Sequence, residues 1–441
     1  MRDAAGGGQP RGRQGKGAKP RNGRRRRRLV RGVLGVLLVY MAAGYLTTAF
    51  RRVETEGPVT TTAPLPTMKG ALLTGVFSVH TDRSHDARGT REQVAAAAAR
   101  AGLDFVVVGD HPPDPRKPGW EFWDPVVLDG VLVEGGQELR TPEAGKILAM
   151  GVDTTFRRWE SSYDSLVAVL QAHDATSFVV HGRGPRRSER WVQPTVFGMQ
   201  GWEVLDLSEA ARHRFRSPWA PYHLFTLLAG LPLGLGDRAL LHLMREGFDT
   251  PTLMAYDSLR MEGPLVATAG LNVHPKLAPG PFLFPPYGPF FRTLVCHLVS
   301  PEPLPADPVA ASSVLSEEVR EGELFISLGR HRRAGGFRLG AVDGAEVVVG
   351  MGRDGPAAAG VALRGGFQDG GGRRLVYRVL RNGTEMAWLR GPELEWEPPG
   401  PGVYRVEVYT YGARLGSTFF RLRPWIFANP IGLVEVGEPA G

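Results

Sequence analysis

The chain has almost no cysteine. Cys296 stands alone among 441 residues, so neither an intrachain disulfide framework nor a CxxC zinc pattern can organise the fold. Positive charge is also missing where a nucleic-acid binder would need it. The formal net charge is +8, yet residues 1–52 hold 14 Lys and Arg against one acidic residue, which leaves about −5 for everything after them. The folded part is therefore mildly acidic, and no nucleic-acid partner is expected. A second long apolar run is lacking too. Tyr222 to Gly236 covers 15 residues, and two prolines bracket or interrupt it, so it reads as a core or lid helix and not as a membrane span.

What the chain does have begins at its N-terminus. Residues 1–28 form a basic tail that includes the run Arg24 to Arg28 and reads as disordered, cytoplasmic and able to touch anionic headgroups. Gly32 to Phe50 follows, 19 residues without a formal charge, which as a helix would span about 28 Å. Residues 29–52 are accordingly a transmembrane signal anchor, the membrane being the expected partner of a single N-terminal span. Basic residues are dense before it, and only Arg51 and Arg52 follow. That asymmetry puts the N-terminus in the cytoplasm and the remainder outside an inner or plasma membrane, in the periplasm or the extracellular space. A cleavable signal peptide is the alternative, although Leu46-Thr-Thr-Ala-Phe-Arg offers no clear small-x-small cleavage site. Residues 53–67, rich in Thr and Pro, read as an extended linker.

Gly75 to His111, GVFSVHTDRSHDARGTREQVAAAAARAGLDFVVVGDH, carries metal-type side chains at both strand ends of one strand-helix-strand unit. Gly75 to Val79 reads as a buried strand. Thr90 is a helix N-cap with Gln93 at the third helical position, the alanines to Arg100 are strong helix formers, and Gly102 closes the helix. Leu103 to Val108 is a second strand, ending in Asp110-His111. His80, Asp86 and His111 should then gather at one end of a parallel sheet, where α/β folds place their sites. His85 neighbours Asp86 and competes with it as a ligand, and Asp110 is expected to support His111 or the strand end.

This stretch resembles the polymerase and histidinol phosphatase (PHP) superfamily, with its HxHTxxSxD, helix, GLDF and strand ending in DH. Further landmarks occur in order: Glu138 in VEGGQEL, the GKILAMG strand at Gly145 to Gly151, His181 after Phe178-Val179-Val180, and Asn272-Val273-His274. Within that superfamily the chain is most similar to the CehA/McbA-like metallohydrolases. The resemblance runs from about Met68 to the C-terminus. It implies an α/β fold, with a distorted (β/α)7-like barrel over 68–314 and a C-terminal β-sandwich over 315–441. Three positions depart from the pattern. Ser78 replaces the first histidine of HxH, Lys146 the histidine after the glycine of GHxxxxG, and Asn272 the aspartate of the last motif. Of the implied metal sites, one keeps only His80 and Glu138, a second only Glu138 and His181, and the third, Asp86, His111 and His274, is complete.

The resemblance, joined to the N-terminal anchor, thus implies a membrane-anchored, exported hydrolase with one divalent ion, Mn, Zn or Fe, at Asp86, His111 and His274. A metal-activated water would attack a phosphoester or an ester or amide bond of a small-molecule substrate. His80, Glu138 and His181 line the same pocket as partial ligands or proton-transfer groups. Lys146, Arg83, Arg88 and Arg183 are candidates for contacting substrate oxyanions, and Ser78, Asn272 and Asp110 stand behind the ligands. The competing class is a catalytically degenerate PHP-fold binding or scaffold protein, and no protein partner is identified by the sequence. His173, His213, His223, His242, His297 and His331 have no partner at ligand spacing and read as surface or satisfied core residues. Beyond Leu315, Glu346 to Val349, Val361 to Arg364, Leu375 to Leu380, Glu385 to Leu389, Tyr404 to Tyr409 and Ser417 to Arg421 alternate like half-buried strands around turns such as Asn382-Gly383.

Overall fold

The computed structural model describes residues 22–58, 64–66, 70–112, 124–156, 162–184, 189–230, 235–244, 248, 250–280, 282–329, 331–368 and 374–435. Two compact units divide the chain, 1–47 and 48–441. The first is dominated by the helix Asn22–Ala49, whose stretch Arg26–Leu46 is long and apolar enough to cross a membrane. A signal sequence near an N-terminus has the same length and composition. The helix starts earlier than the anchor expected at 29–52, because arginines are good helix formers and propagate it back to Asn22. It also stops sooner. Phe50–Arg52 is instead a strand that pairs antiparallel with Thr418–Phe420, and Phe50 meets Phe420 edge to face at 5.0 Å. The expected linker contains a short strand as well, Glu56–Pro58, alongside Thr384–Arg390.

The second unit is mixed α/β around one large sheet. Ala71–Val79, Phe105–Val108 and Val131–Glu134 run parallel, and the helix Arg91–Ala101 crosses between the first two. Thr90 and Gln93 close a reciprocal capping box at its start, and Gly102, at φ 76°, ends it in the left-handed region. An isolated bridge from Asp110 to Gln137 brings in Gly136–Thr141. That strand pairs antiparallel with Gly145–Met150, which pairs antiparallel with Thr176–Val180. Gly201–Asp206 and Val266–Val273 follow in parallel, and the latter pairs with Ala71–Val79, so the path returns to its start. Phe77 fills the interior against Phe105 and Phe178, both edge to face. Gly75 makes room for this, since a Cβ there would lie 2.4 Å from the Phe105 ring.

The sheet then extends. Leu294–Ser300 pairs with the first half of Ala71–Val79, then Leu324–Leu328, Arg423–Ala428, Gly402–Thr410, Leu375–Arg381 and Thr384–Arg390 add antiparallel strands. A separate four-stranded sheet holds Glu346–Gly350, Phe337–Asp343, Ala362–Phe367 and Leu394–Trp396. Phe337, Leu363, Tyr377, Val406 and Ile426 from both sheets share one apolar cluster, in which Trp425 stacks on Phe367 at 4.7 Å. Residue 315, where the sequence pattern changes, lies inside the helix Pro308–Glu321, and its leucine belongs to the first apolar cluster and not to this one. Tyr222 to Gly236 contributes to two helices, Ala220–Gly230 and Gly236–Leu243.

Candidate metal centre

Three parallel strands deliver the central imidazoles, because His80 follows Val79, His111 follows the Phe105–Val108 strand by three residues, and His274 follows Val273. The loop after His80 supplies Asp86. One donor atom from each of His80, Asp86, His111 and His274 fits within 4.8 Å of all the others. The Asp86 carboxylate lies 3.8 Å from His111 Nε2 and 3.5 Å from His274 Nε2. His80 and His274 stack with centroids 3.8 Å apart. His80 therefore joins the three ligands that the resemblance had set apart from it. His85 is exposed, and its ring lies 5.1 Å from that of His111.

The hydrogen bonds behind these rings orient them. Asp110 accepts from the Thr81 backbone and hydroxyl and from Ser84 Oγ. With its proton given to Asp110, Ser84 Oγ accepts from the His111 backbone N–H and lies 3.2 Å from His80 Nδ1. His274 Nδ1 is 2.8 Å from the Asn272 carbonyl. Both rings consequently carry their proton on Nδ1 and leave the Nε2 lone pair free, the arrangement of a metal-ligating histidine. His80 Nε2 and Asp86 Oδ1 are buried without a hydrogen-bond partner among the described residues. Burial, and then the neighbouring imidazoles, hold His80 well below the usual histidine range, and burial also lowers His111 and His274. Neutral imidazoles beside one carboxylate fit a divalent ion such as Zn, Fe or Mn.

Glu138 leads into a different environment. Its carboxylate is 3.4 Å from His111 Nδ1 and 3.9 Å from His80 Nε2 on one side, and 3.5 Å from His181 Nε2 on the other. Lys146, on the paired strand of the hairpin, sets its ammonium 2.6 Å from Glu138 Oε1 and 3.5 Å from Glu189. Burial would raise Glu138, but Lys146 first and His181 next bring it well below the carboxylate range. Burial would likewise lower His181, yet Asp206, 2.7 Å from Nδ1, holds it well above its usual value. His181, Asp206 and Glu209 also lie within 4.8 Å of one another. In this half, protonated side chains already supply the positive charge.

The Asn272 carbonyl meets His274, while the Ser78 and Asn272 side chains share another partner. Both hydrogen-bond a fully buried carboxyl, Glu203, at 2.6 and 3.1 Å. Burial and the nearby Asp206 push Glu203 well above its ordinary range. Ser78, His181 and Asn272 all have positive φ, 58°, 54° and 47°, so the chain bends sharply where these strands deliver their side chains. Among the arginines, Arg83 is half-buried, whereas Arg88 and Arg183 are exposed. Sequence reasoning missed Glu189, Glu203, Asp206 and Glu209. A signal was present, since Glu203 and Asp206 interrupt an otherwise apolar strand, GWEVLD. Four of the other histidines are paired: His223 with His242 at 3.0 Å, His297 with Ser327 at 2.8 Å, and His173 with Asp153 at 3.2 Å.

No family model and no curated protein matches the chain. Among solved structures it is similar to a two-domain protein containing a predicted PHP-like metal-dependent phosphoesterase from Bacteroides vulgatus, at 12% identity and a TM-score of 0.38, over 86% of this chain and 100% of that one. It is also similar to endonuclease Q in complex with a 27-mer duplex bearing an abasic lesion, at 14% identity and a TM-score of 0.24, over 34% of this chain and 47% of that one. Distances within the chain, and not these likenesses, carry the reading that follows.

Proposed function

We propose that the protein is a PHP-type metal-dependent hydrolase, close to the CehA/McbA-like group, with a distorted (β/α)7-like barrel, a C-terminal β-sandwich and an N-terminal anchor that exports the catalytic unit. One observation carries the reading: His80 and His274 have Nδ1 tied to acceptors and Nε2 left open, beside Asp86 and His111. His80, Asp86, His111 and His274 would hold one divalent ion. When bound, it supplies Lewis acidity toward water and toward a phosphoryl or acyl oxygen. Protonated His181, braced by Asp206, is the proton donor to a leaving group, and Glu138 fixes its position. Lys146 contributes fixed positive charge for an anionic substrate.

The test is metal analysis of the purified full chain, followed by a phosphoester and ester substrate panel with added Mn, Zn or Fe. About one ion per chain with metal-dependent turnover is the expected result. A chain that takes up none of these ions and hydrolyses nothing overturns the reading. The second reading, a non-catalytic binding or scaffold protein, is favoured by one contact, the Lys146–Glu138 pair that occupies cation space with an ammonium. Export has its own check: a reporter fused after Gly441 should be active on the exported side only.

A further inference from the structure

A second concave site lies away from the histidines. A cavity of about 740 Å³ shares no lining residue with the metal cluster or with the Glu138 group. Arg100 enters it from the C-terminal turn of Arg91–Ala101, Arg238 from Gly236–Leu243, and Arg292 from the end of the short helix Tyr287–Phe291. Arg332 and Arg333 come from the turn at His331–Ala334, while Arg421 and Arg423 flank the start of the strand Arg423–Ala428. Seven guanidinium groups from distant parts of the sequence thus converge on one space. Asp237 is the one carboxylate among its described lining residues.

The floor differs from the rim. Ala101, Leu328, His331 and Trp425 are buried, while Arg100, Arg238, Arg332, Arg333, Arg421 and Arg423 are exposed. The Trp425 indole is 3% exposed, and its N–H has no hydrogen-bond partner among the described residues. His331 Nε2 lies 2.9 Å from the Ala101 carbonyl, which anchors the turn bearing Arg332 and Arg333 to the helix end. Burial first, and then Arg332 and Arg292, lower its pKa. Like charges around a low-dielectric concavity repel, and they focus a positive potential into it. Multivalent anions relieve the repulsion. Guanidinium groups match phosphate oxygens in bidentate geometry, and the unpartnered indole N–H is a further donor.

We propose that this cavity is a binding site for a ligand carrying two or more phosphate groups, separate from the metal centre. The ligand is either a free polyphosphate or the phosphorylated headgroup of a lipid. Both share the chemistry, and the test separates them. Calorimetric titration of the full chain in detergent, with EDTA present to remove metal, uses inorganic tripolyphosphate in one arm and soluble inositol bisphosphate in the other. Saturable binding of at least one is expected, and the tighter arm names the source. Binding should weaken as salt rises. Arg238→Ala with Arg333→Ala should raise Kd at least about tenfold, whereas the Lys pair at the same positions should lose less, and His111→Ala should leave Kd unchanged. Both arginines are exposed, so the variants should fold, which a thermal melt checks. Failure of both probes to bind overturns the proposal. So does binding that ignores the arginine pair, or a duplex DNA complex that tripolyphosphate cannot displace.

Discussion

The two sides of Glu138 hold similar residue types and do different things with them. On one side, three imidazoles are kept neutral by burial and oriented by Ser84 and the Asn272 carbonyl, with a half-buried carboxylate facing them. On the other, an imidazole is kept charged by Asp206, and a lysine neutralises Glu138. On the proposed function, donor identity alone does not make a metal site. What decides it is where each ring's proton is held and whether an organic cation already answers the carboxylates.

Removing an imidazole from the neutral side should have the largest effect. His111→Ala or His274→Ala should cut bound metal by about tenfold or more, measured by elemental analysis across a chelator series, while His173→Ala changes nothing. Equal metal in all three variants would erase the distinction between the two sides. On the charged side the expected loss is stability. Lys146→Ala leaves Glu138 buried without its cation and should cost about 3 kcal/mol in denaturant unfolding. Lys146→His sharpens the contrast: it places a fourth imidazole by Glu138 and removes the ammonium, so metal stoichiometry should rise. The gain should vanish when Glu138 is also changed to Gln.

Glu134 provides a pH signature that belongs to neither side. Burial pushes it up to about 7, and only the Gly151 N–H and a hydroxyl from Ser312 offset this. Its folded pKa exceeds the unfolded value, so the native state binds the extra proton and stability falls as pH rises from about 4.5 to 7. Glu134→Gln should flatten that decline, by at most about 3 kcal/mol, in unfolding curves taken across the window. Metal binding at pH 7 should be unmoved. The smallest effect is expected at Thr90, where loss of the capping box in Thr90→Ala should cost about 1 kcal/mol without altering metal content. A large loss of metal there would mean that the helix, and not the strand ends, positions His80 and His111.

Much of this was legible because it is local. Thr90, Gln93 and Gly102 specify a helix by short-range hydrogen bonds, and the strand Phe105–Val108 falls within the apolar run Leu103 to Val108. Asn382 and Gly383, both at positive φ, make the hairpin turn that their pairing predicts. The ligand pattern named the histidines and Asp86. It could not give the joining of His80 with His274, since that depends on how closely Ala71–Val79 and Val266–Val273 bring their ends together. Nor could it give Lys146 its partner, because the ammonium reaches Glu138 across a hairpin and Glu189 from a distant loop. The arginine cavity is equally non-local, assembled from turns whose charges look like ordinary solvated surface one at a time.

The pairing of Phe50–Arg52 with Thr418–Phe420, and of Glu56–Pro58 with Thr384–Arg390, sets an order of events. The stretch that leaves the N-terminal helix is made well before its partners, which lie over 300 residues further along. These edges stay open until Thr384–Arg390 and Thr418–Phe420 have emerged, which makes their pairing a slow, long-range step. A chain delivered head first to the far side of a membrane would therefore hold its first strands unpaired throughout delivery, and a truncation shortly before Thr418 would leave that seam permanently unsewn.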